Sequence, residues 1–314
     1  MTSSVPEPDH DMADVHVQRF NEAFYRTDPA DYLLTRLQLL LLAGGKRAEL
    51  EAMLHSGVEF AGFAVTQQDP DVADVSDDQA MAADAADHQS FLTVESQALL
   101  HLAAETLLRM FLVHAEQSNV PWFPFRGTPW HRFVALVEDI LHTPPSPDLV
   151  AFVCLGSRQR SDIVTEADWT GALDGLSRFL RHLAAVFLED ANLYNCIKHG
   201  LGARGGDAQM ILDSIVFSDG PSVEFPEVTG WDAQDERVWS LTTRWVDVGE
   251  SIALTHVAAS MTSSIWRVGR ARLMGTPFEG QLFFPVELRP VAVRSQNRTP
   301  GRRMSWQHLT ERKH

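Results

Sequence analysis

The chain has 314 residues, 45% of them apolar and 22% charged, with a net charge of −16. This composition excludes a wholly disordered chain, and the length sets a prior of about two domains. The negative balance excludes nucleic-acid binding by the surface as a whole and leaves it only to a local basic patch.

Cys154 and Cys196 are the only cysteines. Two are too few for a disulfide framework and fit a reducing compartment. Residues 1–14 are rich in Pro, Asp and Ser, lack an apolar run, and are expected to be disordered rather than a signal peptide. The most apolar run, Leu37 to Ala43, is interrupted by Gln38. It is far short of the roughly 18–20 residues that span a bilayer. The expectation is a cytoplasmic protein with no membrane partner.

Residues 15–66 read as N-terminal helices. Asp28 caps and Pro29 opens a helix whose Tyr32, Leu33, Leu37, Leu40 and Leu41 recur at helical spacing until Gly44-Gly45. A short helix is expected over 46–55. Val58 to Val65 fits either a short strand or a continuation of that helix. Residues 67–90 carry Asp69, Asp71, Asp74, Asp77, Asp78, Asp84 and Asp87 with no Lys or Arg, and read as a mobile acidic linker.

Residues 91–206 read as a helical bundle with two long helices, at about 91–117 and 166–201. Leu99, Ala103, Leu107, Met110, Phe111 and His114 give the first its apolar stripe. Its Glu105 and Arg109 are spaced for a helical ion pair. Pro121-Trp122-Phe123-Pro124-Phe125 reads as an aromatic loop, and Thr128-Pro129 as the cap and first position of another helix. Leu149 to Leu155 is a short apolar run of either type. Thr165 with Asp168 resembles a capping box at the start of the second long helix.

Residues 207–294 read as a strand-containing region with one helix. Strands are expected at Ile211–Phe217, Arg237–Val246 and Gln281–Val293, and the helix over 250–273. Residues 295–314 form a solvated basic tail. The fold class is mainly α with a smaller α+β C-terminal part.

Gly200-Leu201-Gly202-Ala203-Arg204-Gly205 matches the glycine spacing of a dinucleotide loop. That loop needs a strand before it and a helix after it, and here a helix precedes. A helix C-terminus repels phosphate, so a glycine-rich helix stop is expected. The spacings HExxH, CxxC and GxSxG are absent from the sequence. No metal or cofactor is expected.

Asn195-Cys196-Ile197-Lys198-His199 is the remaining polar group. Asn195 and His199, four apart, share a helical face beside Lys198. Only Lys46, Lys198 and Lys313 are lysines among 26 basic side chains. Lys198 and His199 also complement the negative end of the helix dipole, which is a structural reason for both.

These residues, together with Ala103 to Arg109 on the earlier helix, resemble the HEPN superfamily over about residues 90–205. The resemblance implies a bundle with two long core helices. In active members an Arg, a polar residue and a His at the end of one helix cleave RNA without metal, usually across a dimer interface. Here Tyr194 stands at the Arg position. It supplies neither the fixed positive fork nor the charge that stabilises a phosphate in transition.

The leading expectation is therefore a non-catalytic or weakly catalytic HEPN-like interaction protein, a homo-oligomer acting by contact with RNA or protein. The competing expectation is a metal-independent endoribonuclease. In it Asn195 and His199 position and polarise the ribose 2′-OH and phosphate, and Lys198 supplies charge. A third is a small-molecule binder whose pocket is lined by Trp122, Phe123, Pro124, Phe125, Trp231, Trp239 and Trp245.

Overall fold

The computed structural model describes residues 14–46, 49, 52, 58–60, 63–65, 77–162, 164–198, 202–212, 215–231, 237–276 and 303–311. The helices are α1 (Asp14–Phe24), α2 (Pro29–Gly45), α3 (Asp77–Ala115), α4 (Trp122–Gly127), α5 (Trp130–His142), α6 (Pro147–Val150), α7 (Glu166–Lys198) and α8 (Val248–Met274). The strands are β1 (Val58–Phe60), β2 (Phe63–Val65), β3 (Arg204–Leu212), β4 (Ile215–Trp231), β5 (Arg237–Trp245) and β6 (Arg303–Glu311). The protein is mainly helical, with a four-stranded antiparallel sheet of order β3-β4-β5-β6 and a separate β1-β2 hairpin.

Two compact units divide the chain. The first takes residues 1–34, 100–191 and 253–297, and the second residues 35–99, 192–252 and 298–314.

The first unit is helical. Its buried side chains include Leu107, Leu108 and Phe111 of α3, Phe133 and Val137 of α5, Leu180, Leu183 and Phe187 of α7, and Ile265 of α8. Phe187 anchors this core. Its ring stacks on the His101 imidazole at 4.9 Å and meets Phe133 edge-on at 5.3 Å. Such pairs add about 0.5–1.5 kcal/mol beyond their buried area.

In the second unit, Leu193 at the end of α7 packs with Val223 and Phe225 of β4. Val94, Cys196, Ile197, Ala203 and Val246 close around them. The Trp245 indole N–H donates to the Ala208 carbonyl at 2.8 Å, tying β5 to β3 across β4.

Local sequence explains the helix starts. Asp28 Oδ1 accepts from the Ala30 amide at 2.9 Å, and Pro29 takes the first position. Thr165 Oγ1 accepts from the Asp168 amide at 3.1 Å and donates to Asp168 Oδ2 at 2.7 Å. A cap of this kind stabilises a helix by about 1 kcal/mol.

Several expectations are corrected. α3 begins at Asp77, so residues 77–90 are helix and not linker. The alanines at 80, 82, 83, 85 and 86 have the highest helix propensity and outweigh the charge run. Residues 122–127 are a short helix rather than a loop, and Thr128 does not cap α5. Its hydroxyl donates back to the Pro124 carbonyl at 2.6 Å, leaving Pro129 at the cap position. For Val58 to Val65 the strand alternative holds, as the antiparallel pair β1 and β2. The run 149–155 is a helical turn passing into a π-helical turn, Ala151–Leu155. The basic tail contains β6, paired antiparallel to β5, so residues 303–311 are not a solvated extension. The expected disordered residues 1–13, most of the expected helix over 46–55 and the expected strand Gln281–Val293 lie outside the described residues.

Within α3, the stretch Ala85–Ala115 is long and apolar enough to cross a membrane, but 67% of its apolar window is buried within the protein. A core helix meets the same criterion.

Candidate functional site

α7 turns its last two turns on the sheet with one face and on solvent with the other. Leu193 and Ile197, four apart, pack under β4. Asn195 and Lys198 fall on the opposite side of the helix and are exposed. The structure therefore brings Asn195 and Lys198 together on an outward face, and His199 lies outside the described residues. Tyr194, at the position where the family resemblance implies Arg, is half-buried.

Between these faces, Asn192 Nδ2 donates to the Pro226 carbonyl at 3.5 Å and Cys196 Sγ approaches the same oxygen at 3.6 Å. Burial, with Glu227 nearby, raises the Cys196 pKa above the usual thiol value. Burial pushes the Cys154 thiol up to about 12. Neither is the low-pKa thiolate that a nucleophile requires.

The glycine motif has a packing role. A side chain at Gly202 would sit 2.7 Å from the Cys196 carbonyl oxygen, and one at Gly205 would drive into the Ser90 backbone of α3. Gly205 and Arg204 already belong to β3, which pairs with β4 through Gly205↔Val223. These glycines admit the close approach of strand and helix, not a phosphate.

The strongly perturbed groups lie elsewhere, in the interior of the first unit. His114 Nδ1 bonds the Met110 carbonyl at 2.7 Å, and its Nε2 bonds the Tyr25 hydroxyl at 2.8 Å. A carbonyl only accepts, so the neutral ring carries its proton on Nδ1 and Nε2 accepts from Tyr25. Burial lowers the His114 pKa to about 4, helped by the Arg272 charge, although the bond to Met110 works against it. Burial alone lowers His101 to about 4. Burial raises the Tyr25 pKa, with Arg272 opposing. These side chains are sealed. Tyr25, His101 and His114 are all less than 4% exposed.

His114 falls on the apolar stripe of α3, a position that by itself gives no sign of a polar partner. Its partner Tyr25 is 89 residues away, and no spacing signal joins them.

The aromatic residues named for a pocket fall in both units, Trp122 to Phe125 in the first and Trp231, Trp239 and Trp245 in the second. Trp245 is buried, and Trp231 is exposed with Arg237 over its ring at 5.7 Å. Trp122 and Phe125 pack edge-on around Phe24. A recess with an enclosed volume of about 10 Å³ lies beside α4, lined by residues including Arg109, Glu116, Phe125, Thr128 and Phe133. Arg109 is occupied there. It pairs with Glu105 at 2.8 Å and lies 4.0 Å from the centre of the Phe133 ring. The recess is below the roughly 300–1,000 Å³ typical of ligand sites. Among the described residues no group of three His, Cys, Asp or Glu is arranged to hold a metal ion.

α2 exposes apolar surface in the second unit. Leu37 and Leu40 are buried, while Leu39, Leu41 and Leu42 are 60%, 51% and 41% exposed. No charged residue follows Arg36 within the helix. A helix apolar on nearly every side is ordinarily covered on every side.

Comparison of the chain with protein-family models, curated proteins and solved structures returns no match.

Proposed function

We propose that this is a non-catalytic, HEPN-like helical interaction protein that self-associates through the outer face of α2. The observation that carries the reading is the exposure of Leu39, Leu41 and Leu42 on a helix whose other face is already buried. Two copies each bearing −16 repel over most of their surface. The uncharged segment Leu37 to Gly45 is a place where two such chains meet without opposing charges. A second copy is thus the occupant that this face suits.

The two long helices α3 and α7 and the outward Asn195 and Lys198 support the HEPN-like part of the reading. Catalysis has less support, because the perturbed histidines are sealed inside and Tyr194 replaces the expected Arg. The two free thiols suit a cytoplasmic setting.

Sedimentation velocity tests the association. Wild type is expected to sediment as an oligomer, and the double variant Leu39→Glu, Leu42→Glu as a monomer with an unchanged helix content. Those side chains are exposed in the single chain, so charge there costs folding little. A wild type that stays monomeric at high concentration, or a variant that associates as wild type does, contradicts the reading.

A further inference from the structure

The loop after the π-helical turn and the end of α8 bring two guanidinium groups to one aromatic ring. Arg158 lies 5.1 Å and Arg272 lies 4.4 Å from the centre of the Phe152 ring. The groups are therefore held less than two such distances apart. Phe152 sits within the π-helical turn Ala151–Leu155, which Gly156 ends in a left-handed conformation, φ 78°. A π-helical turn shifts the side chains after it around the helix, and such turns recur at functional sites. Here Val153 and Cys154 remain buried, while Phe152 is half-buried and available to both arginines. Arg160, two residues on, donates to the Ser161 and Val164 carbonyls and braces the loop that carries Arg158.

Arg158 and Arg272 are both exposed. Among the described residues no carboxylate lies within ion-pair distance of either, although acidic residues outnumber basic ones 42 to 26. Two charges of one sign lie against one ring, and without a counter-ion among the described residues they attract an anion. The planar fork of each guanidinium matches the oxygens of phosphate. We propose that Arg158 and Arg272 form a binding site for a phosphate group. This site is independent of the α2 face and of Asn195 and Lys198.

Titration calorimetry at low ionic strength tests it, with inorganic pyrophosphate in one arm and a single-stranded oligonucleotide in the other. Wild type is expected to bind at least one of them. Arg158→Glu is expected to weaken that binding at least tenfold. Arg158→Lys, which keeps the charge but loses the fork, is expected to weaken it less. Pyrophosphate binding marks a small phosphate ligand, and binding confined to the oligonucleotide marks a nucleic-acid backbone. Arg158 lies on an exposed loop, so Arg158→Glu remains informative if Arg272→Glu disturbs Tyr25 and folding. Arg178, which is exposed and paired with Asp174 at 2.8 Å, provides the control, and Arg178→Glu is expected to bind as wild type does. No binding in either arm, or equal binding by wild type and Arg158→Glu, overturns the proposal.

Discussion

Lowering the pH from 7 to 5 is expected to remove about 3–4 kcal/mol of stability through His101 and His114. Each has a folded-state pKa near 4, against 6.5 as the ordinary value. Between those values the unfolded chain binds protons that the folded chain refuses. Stability is therefore full above about pH 6.5 and falls as pH drops toward 4. Each histidine contributes roughly 2 kcal/mol over this interval. Glu250, whose pKa burial raises, acts in the opposite direction and trims the effect.

Urea unfolding at pH 7, 6 and 5 measures the dependence. His101→Phe keeps a ring against Phe187 and removes one titrating group, so the pH dependence is expected to become shallower, with His114 and His182, whose pKa burial also lowers, supplying the rest. An unchanged slope in that variant contradicts the assignment.

Gly269→Ala is expected to destabilise the protein by about 3–5 kcal/mol, the upper range for a single core substitution. Gly269 of α8 lies directly over the Tyr25–His114 hydrogen bond. A Cβ there would stand within 3.0 Å of both His114 Nε2 and the Tyr25 hydroxyl. Relief requires either α8 to move away or the bond to break. A broken bond leaves two buried polar groups unsatisfied, at about 1–3 kcal/mol each. The Trp266 ring, 5.8 Å from Tyr25, blocks retreat on one side.

A double-mutant cycle identifies the cause. In a His114→Ala background part of the obstruction is gone, so Gly269→Ala is expected to cost at least 1 kcal/mol less there. Equal costs in both backgrounds would place the strain elsewhere.

The extent to which the sequence foretold the structure follows from the range of each interaction. Asp28-Pro29 and Thr165 with Asp168 act within four residues, and both caps form as their spacing implies. The long apolar stripes of α3 and α7 and the helix at Val248–Met274 were legible for the same reason. β6 was not. Its apolar residues Met304, Trp306 and Leu309 are spaced by two and then three, and the register shift between Ser240 and Leu241 accounts for the slip. A bulge breaks the period on which strand recognition relies.

Nor could spacing distinguish a glycine that ends a helix from one that lets Ser90 approach a strand. At the candidate site, the outward direction of Asn195 and Lys198 follows from helical geometry once Leu193 and Ile197 face inward. The arginines on Phe152 come from positions 158 and 272, far apart in sequence, and only the fold brings them together.

A protein that works by contact and not by turnover leaves RNA whole. The most direct measurement is RNA cleavage in EDTA by purified wild type and His199→Ala. Intact RNA is expected with both proteins. Cleavage by wild type that disappears in His199→Ala would contradict it.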